Sequence, residues 1–159
     1  MDSRITAYTA DPAERSRPDF DPALSGYLPI YTAAFNTYVR AQLHYENELP
    51  YELLSSRVGP WNFGGNGATG YLYVGDNLRN AIQKNPKLQV LVASGLYDLA
   101  TPYFATTYTL NHLQLPTPLQ PNIHSTFYPG GHMMYHEPTS AQSLHDQITR
   151  FITVTAHQP

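Results

Sequence analysis

Two side chains suited to proton transfer stand in the second half of the sequence, Asp98 in "SGLYDLATP" and His132 in "YPGGHMMYHEP". A carboxylate that accepts a hydrogen bond from one imidazole nitrogen fixes the tautomer of the ring. The other nitrogen is then free to take a proton from a nucleophile and later return it to a leaving group. Read alone, Asp98 ahead of "LATP" serves equally well as the start of a helix, and a single loop histidine commonly has only structural partners. The order of the two residues, and the elements they follow, give the pair its chemical meaning.

Those elements can be read from pattern. "KLQVLVASG" is a continuous apolar run ended by Gly95, as expected of a strand buried on both faces of a parallel sheet. "TPYFATTYTLNHLQL" predicts a helix, with Thr101 as cap, Pro102 at the first helical position and apolar residues at Phe104, Tyr108 and Leu113. After the proline-rich "LPTPLQPNI", the segment "NIHSTFYPGG" predicts a second strand, and "PTSAQSLHDQITRFITVTA" a closing helix striped by Leu144, Ile148, Phe151 and Ile152. Strand–helix–strand–helix is the order of an α/β fold with a right-handed crossover between parallel strands. Parallel neighbours end at the same edge of the sheet, where open α/β sheets carry their sites. Asp98 and His132, each a few residues beyond a strand, are therefore expected to meet there. Gly130 and Gly131 are expected to turn the chain through conformations closed to other residues. Met133 and Met134 supply soft apolar bulk beside the imidazole.

The first 85 residues carry less pattern. "TADPAERSRPDFDPALSGYLP" reads as an irregular, proline-punctuated arm, and "IYTAAFNTYVRAQLHY" as a helix with Tyr31, Phe35, Tyr38 or Val39, and Leu43 on one stripe. "ENELPYELLSSRVGPWNFGGNGATGYLYVGDN" is mostly loop, and "NLRNAIQKNP" a short helix stopped at Asn85-Pro86. The expected division is thus an irregular and helical, cap-like segment over 1–85 and a strand–helix–strand–helix core over 86–159.

With these residues in place, "VLVASGLYDLATPYFATTYTLNHL" and "FYPGGHMMYHEPTSAQSLHDQITRFI" resemble the C-terminal part of the serine carboxypeptidase family, especially its bacterial members. The likeness is strongest over 86–155 and looser over 20–65, where "YELLSSRVGPWNFG" resembles the segment ahead of the final strands. It implies the last strands and helices of an α/β-hydrolase fold. It further implies that Asp98 is the triad acid, after a Gly-x-x-Asp element beginning at Gly95, and that His132 is the base, in a Gly-His-Met element. Met133 would line the subsite of the leaving C-terminal residue, and no cofactor is implied. The activity implied is removal of C-terminal residues from peptides through an acyl-enzyme. A carboxylesterase of the same fold, or a truncated non-catalytic relative, is the alternative.

The nucleophile is missing from this pattern. No Gly-x-Ser-x-Gly elbow occurs: Ser94 ends the first predicted strand, Ser25 lies in the irregular arm, and Ser55–Ser56 lacks flanking glycines. The expectation is a C-terminal portion, or the second chain of a processed enzyme, whose serine and oxyanion hole come from a missing N-terminal part or partner chain.

Other signals point elsewhere but lack their context. "GNGATG", from Gly65 to Gly70, matches G-x-G-x-x-G, yet no strand precedes it and no helix follows at once. His132 and His136 have the spacing of helical zinc ligands, but the glutamate of H-E-x-x-H belongs between the histidines, and Gly130-Gly131 argues against a helix there. No metal is expected. A net charge of −3 gives no basic footprint for nucleic acid, and no apolar run is long enough to cross a bilayer. "MDSRITAYTA" does not read as a signal peptide; a periplasmic or secreted location is what the family resemblance implies. The absence of cysteine excludes disulfides and thiolate sites. At 42% hydrophobic residues, 159 residues suffice for one core. The thirteen tyrosines suit half-buried, amphipathic packing.

Overall fold

Two short strands with β-branched and apolar residues pair in parallel because a helix-bearing connection returns the chain to its starting edge. The computed structural model describes residues 1–8, 21–58 and 73–156. Strand β1 is Val90–Gly95 and strand β2 is Ile123–Tyr128, in register from Val90 opposite Ile123 to Gly95 opposite Tyr128. Between them runs helix α3, Tyr103–Asn111, and after them helix α4, Pro138–Thr155. The fold is mixed α/β with a two-stranded parallel sheet. Among the described residues no helix is long and apolar enough to cross a membrane.

The chain divides into two compact units. One comprises Met1–Arg4 with Tyr71–Pro159, the other Ile5–Gly70. The expected line after residue 85 falls inside the first unit, just behind helix α2, Gly75–Lys84.

In the first unit Ile82, Leu113 and Leu115 are buried, with Leu78, Leu88, Val90, Leu110, Leu119 and Ile123 packed around them. Each fully buried aliphatic side chain contributes about 1.5–3 kcal/mol. Val90 and Ile123 open their strands, so this core lies at the amino ends of the sheet and leaves the carboxyl ends to polar residues. Asn122 anchors the same end: its Nδ2 donates to the carbonyls of Pro86 at 2.8 Å and Leu88 at 2.9 Å. A buried amide with both donors used in this way fixes where β2 starts relative to β1.

Several sequence expectations need correction. β1 is only half-buried from Val90 to Ser94, where burial on both faces was expected. α3 begins one residue later than expected, with Pro102 at its N-cap, and Phe104 and Tyr108 on it are exposed. Of the three residues expected on its apolar face, only Leu113, just beyond the helix, reaches the core. On α4, Leu144 and Phe151 are half-buried, whereas Ile148 and Ile152 are exposed.

In the second unit helix α1 spans Pro22–Ala41 and so takes in "PALSGYLP" of the expected irregular arm. Its start is set locally: the Asp21 side chain accepts from Ala23 N at 2.8 Å and Leu24 N at 3.1 Å, and Pro22 sits where its missing N–H costs nothing. Phe35 stacks on Tyr51 with centroids 3.9 Å apart, while Tyr31 and Tyr38 of the expected stripe are exposed. "GNGATG" lies outside the described residues.

Candidate active site

Asp98 stands three residues beyond β1 and His132 four beyond β2, so parallel pairing delivers both to one edge. The two loops are joined through their backbones. Leu96 N donates to Tyr128 O at 2.9 Å, and Tyr97 N donates to Gly130 O at 2.9 Å. This close approach explains Gly95, since a Cβ there would collide with the carbonyl oxygens of Gly130 and Gly131. Neither Gly130 nor Gly131 adopts the left-handed conformation expected of it. What Gly131 supplies instead is the absence of a Cβ, which would fall within 2.5 Å of the Cβ of Asp2.

His132 Nδ1 lies 3.0 Å from Asp98 Oδ2. A neutral imidazole facing a carboxylate through Nδ1 carries its proton there, leaving Nε2 as the base. The His132 side chain is 39% exposed and that of Asp98 5%, so the acid is enclosed while the ring is open to an approaching group.

Asp98 is held by its own loop as well. Oδ1 accepts from Ala100 N at 2.7 Å and Thr101 N at 2.9 Å, and Oδ2 accepts from Thr101 Oγ1 at 2.7 Å. Asp98 therefore both organises the turn into α3 and faces the histidine. Thr101, expected to cap the helix, donates its hydroxyl to the acid. Burial pushes the Asp98 carboxyl up, but donation from the Thr101 backbone and hydroxyl, the His132 ring and the Ala100 N–H outweighs it and holds the pKa at about 2. The acid is thus ionised throughout the range in which an imidazole can act as a base.

Met133 is half-buried directly after His132, and its carbonyl accepts from His136 N at 3.0 Å in a short 3-10 turn over Met134–His136. Met134 packs on Gly130. His136 and His132 form no cluster of the kind that holds a metal ion, and no such cluster occurs among the described residues. Ser94 lies within β1 and Ser25 within α1 of the other unit, and no described hydroxyl donates to His132 Nε2.

Two contributors escaped the sequence reading. Thr101 had a local signal, because a threonine three residues after an aspartate can close a side-chain turn onto it. Asp2 had none. It forms an antiparallel bridge with Asp98, brought there from the far end of the sequence. Compared with protein-family models, with curated proteins and with solved structures, the chain matches none.

Proposed function

We propose that this chain supplies the acid–base half of a Ser-His-Asp hydrolase of the α/β-hydrolase type, similar to the serine carboxypeptidases. The observation that carries the reading is the 3.0 Å approach of His132 Nδ1 to Asp98 Oδ2 at the carboxyl edge of two parallel strands. His132 takes the proton of a serine supplied from outside the chain and gives it to the leaving group. Asp98 holds the tautomer and stabilises the imidazolium. Met133, next to the base, borders the subsite of the departing C-terminal residue. The substrate class is a peptide with a free C-terminus, and an acyl ester would react by the same steps.

Co-expression with the polypeptide encoded immediately upstream provides the test. The complex should hydrolyse a blocked dipeptide, label with a serine-directed phosphonate on the upstream polypeptide, and lose about 10³–10⁶-fold in kcat on His132→Gln, as triad members do. The chain alone should give background turnover, since it lacks the nucleophile and oxyanion donors worth about 3–4 kcal/mol each. Turnover that survives His132→Gln, or phosphonate on a serine of this chain, would overturn the reading.

A further inference from the structure

The segment Met1–Arg4 lies across the two loops that carry Asp98 and His132. Its backbone engages both: Ser3 N donates to Tyr97 O at 2.9 Å, while Leu99 N at 3.5 Å and His132 N at 3.3 Å donate to Met1 O. The Asp2 side chain is buried, at 6% exposure, and packs directly on Gly131. This contact lies one residue ahead of the histidine. The Asp2 carboxylate is held by Arg4: the backbone N and Nε each donate to Oδ1 at 3.0 Å, and Nη2 donates to Oδ2 at 2.7 Å. Arg4 is itself fixed by Glu137 at 2.9 Å, where α4 begins, and by stacking over Tyr97 at 4.5 Å from the ring centroid.

We propose that Asp2 is a positioning residue for the Asp98–His132 pair, its backbone bridging the acid loop while its side chain, held by Arg4, packs against the base loop at Gly131. The Asp2 carboxylate is committed to Arg4 through three donors, one backbone and two from the guanidinium. Its effect is on geometry: the acid loop and the base loop follow different strands, and Asp2 touches both. An aspartate fits because two oxygens must serve a backbone donor and a guanidinium at once. A longer or neutral side chain would give up one of the two.

The proposal rests on reading the pair as an acid–base couple, and its test separates the two. In the full chain with labelled histidines, ring carbon and nitrogen shifts report the His132 tautomer at a pH where the imidazole is neutral. The Nδ1–H form should dominate, against the Nε2–H preference of a free imidazole, and Asp98→Asn should abolish that dominance. Asp2→Ala should reduce the ratio of Nδ1–H to Nε2–H by about tenfold, the equilibrium change that accompanies loss of one charge-assisted hydrogen bond. Asp2→Asn, which keeps the packing on Gly131 and one acceptor for Arg4, should retain more of the ratio than Asp2→Ala. Arg4→Ala, an exposed change that does not threaten the core, should lower it part of the way and serves if Asp2→Ala does not fold. An unchanged tautomer in folded Asp2→Ala, or in Arg4→Ala, would sink the role of Asp2 while leaving the dyad standing. An Nε2–H tautomer in the unmodified chain would remove the dyad and the proposal together.

Discussion

Thr101 grips Asp98 twice, through its backbone N–H at 2.9 Å to Oδ1 and through its hydroxyl at 2.7 Å to Oδ2. The same hydroxyl oxygen lies 3.4 Å from His132 Nδ1, so it sits at the side of the acid–base contact and closes it off. Thr101→Val keeps the shape and the backbone donor but removes the hydroxyl. The expected outcome is a loss of about 1.5–3 kcal/mol, the range for a hydrogen bond to a charged group, measured by urea unfolding. The Asp98 carboxyl should also move up towards its ordinary value, read by carboxyl carbon shifts against pH.

The low pKa of Asp98 makes stability depend on acid. The folded value of about 2 lies below the ordinary 3.8, so the native state binds its proton less readily than the unfolded chain. The stabilisation is complete above about pH 4 and is lost as pH falls towards 2, amounting to about 2 kcal/mol. Asp2 is lowered too, chiefly by its hydrogen bond from Arg4, and acts in the same direction. Asp98→Asn should therefore flatten only part of the stability profile between about pH 4 and pH 2. An unaltered acid limb in that variant would show that Asp98 gains nothing from its partners.

Gly95→Ala should be among the most damaging conservative changes in the sheet. The new methyl would meet backbone oxygens of Gly130 and Gly131, which cannot rotate away as a flexible side chain would. A cost of about 1–3 kcal/mol is expected from overpacking, together with displacement of the His132 loop. Thermal unfolding and the His132 ring shifts measure the two effects separately.

Each strand has one partner among the described residues, which leaves the other edge of β1 unpaired along an apolar stretch. Such an edge templates pairing with a further chain, and no proline or lysine interrupts Leu88 to Gly95. The isolated chain should self-associate, and Leu91→Lys should reduce the association. Size-exclusion chromatography with light scattering decides it: a cooperatively unfolding monomer at high concentration would rule the edge out as a docking surface.

The alternation of strand and helix after residue 86 was legible because each element is short and bounded by its own punctuation. Gly95 ends β1, Pro138 opens α4, and the apolar run from Leu88 is continuous. The meeting of Asp98 and His132 followed from that order alone. The start of α1 was not legible, since Asp21-Pro22 begins a helix and Pro29 sits inside it, where proline ordinarily argues for an irregular arm. Burial was overread at Phe104 and Tyr108, because periodicity marks a face without saying that anything covers it. Asp2 was invisible because its partners lie at residues 97–99 and 131, and no local pattern announces a contact across that span.

The acid's turn and the histidine's arrival differ in chain distance. Asp98 collects its donors from Ala100 and Thr101, within three residues, whereas the Nδ1 contact joins positions 34 apart and needs the crossover closed. Local turns form fast, and loop closure delays non-local pairing. Folding of this unit therefore has an internal chronology: the carboxylate is poised first, and the imidazole docks only when β2 has zipped alongside β1. The Asp98–His132 distance, followed during refolding, marks a later step than the closing of the Asp98 turn.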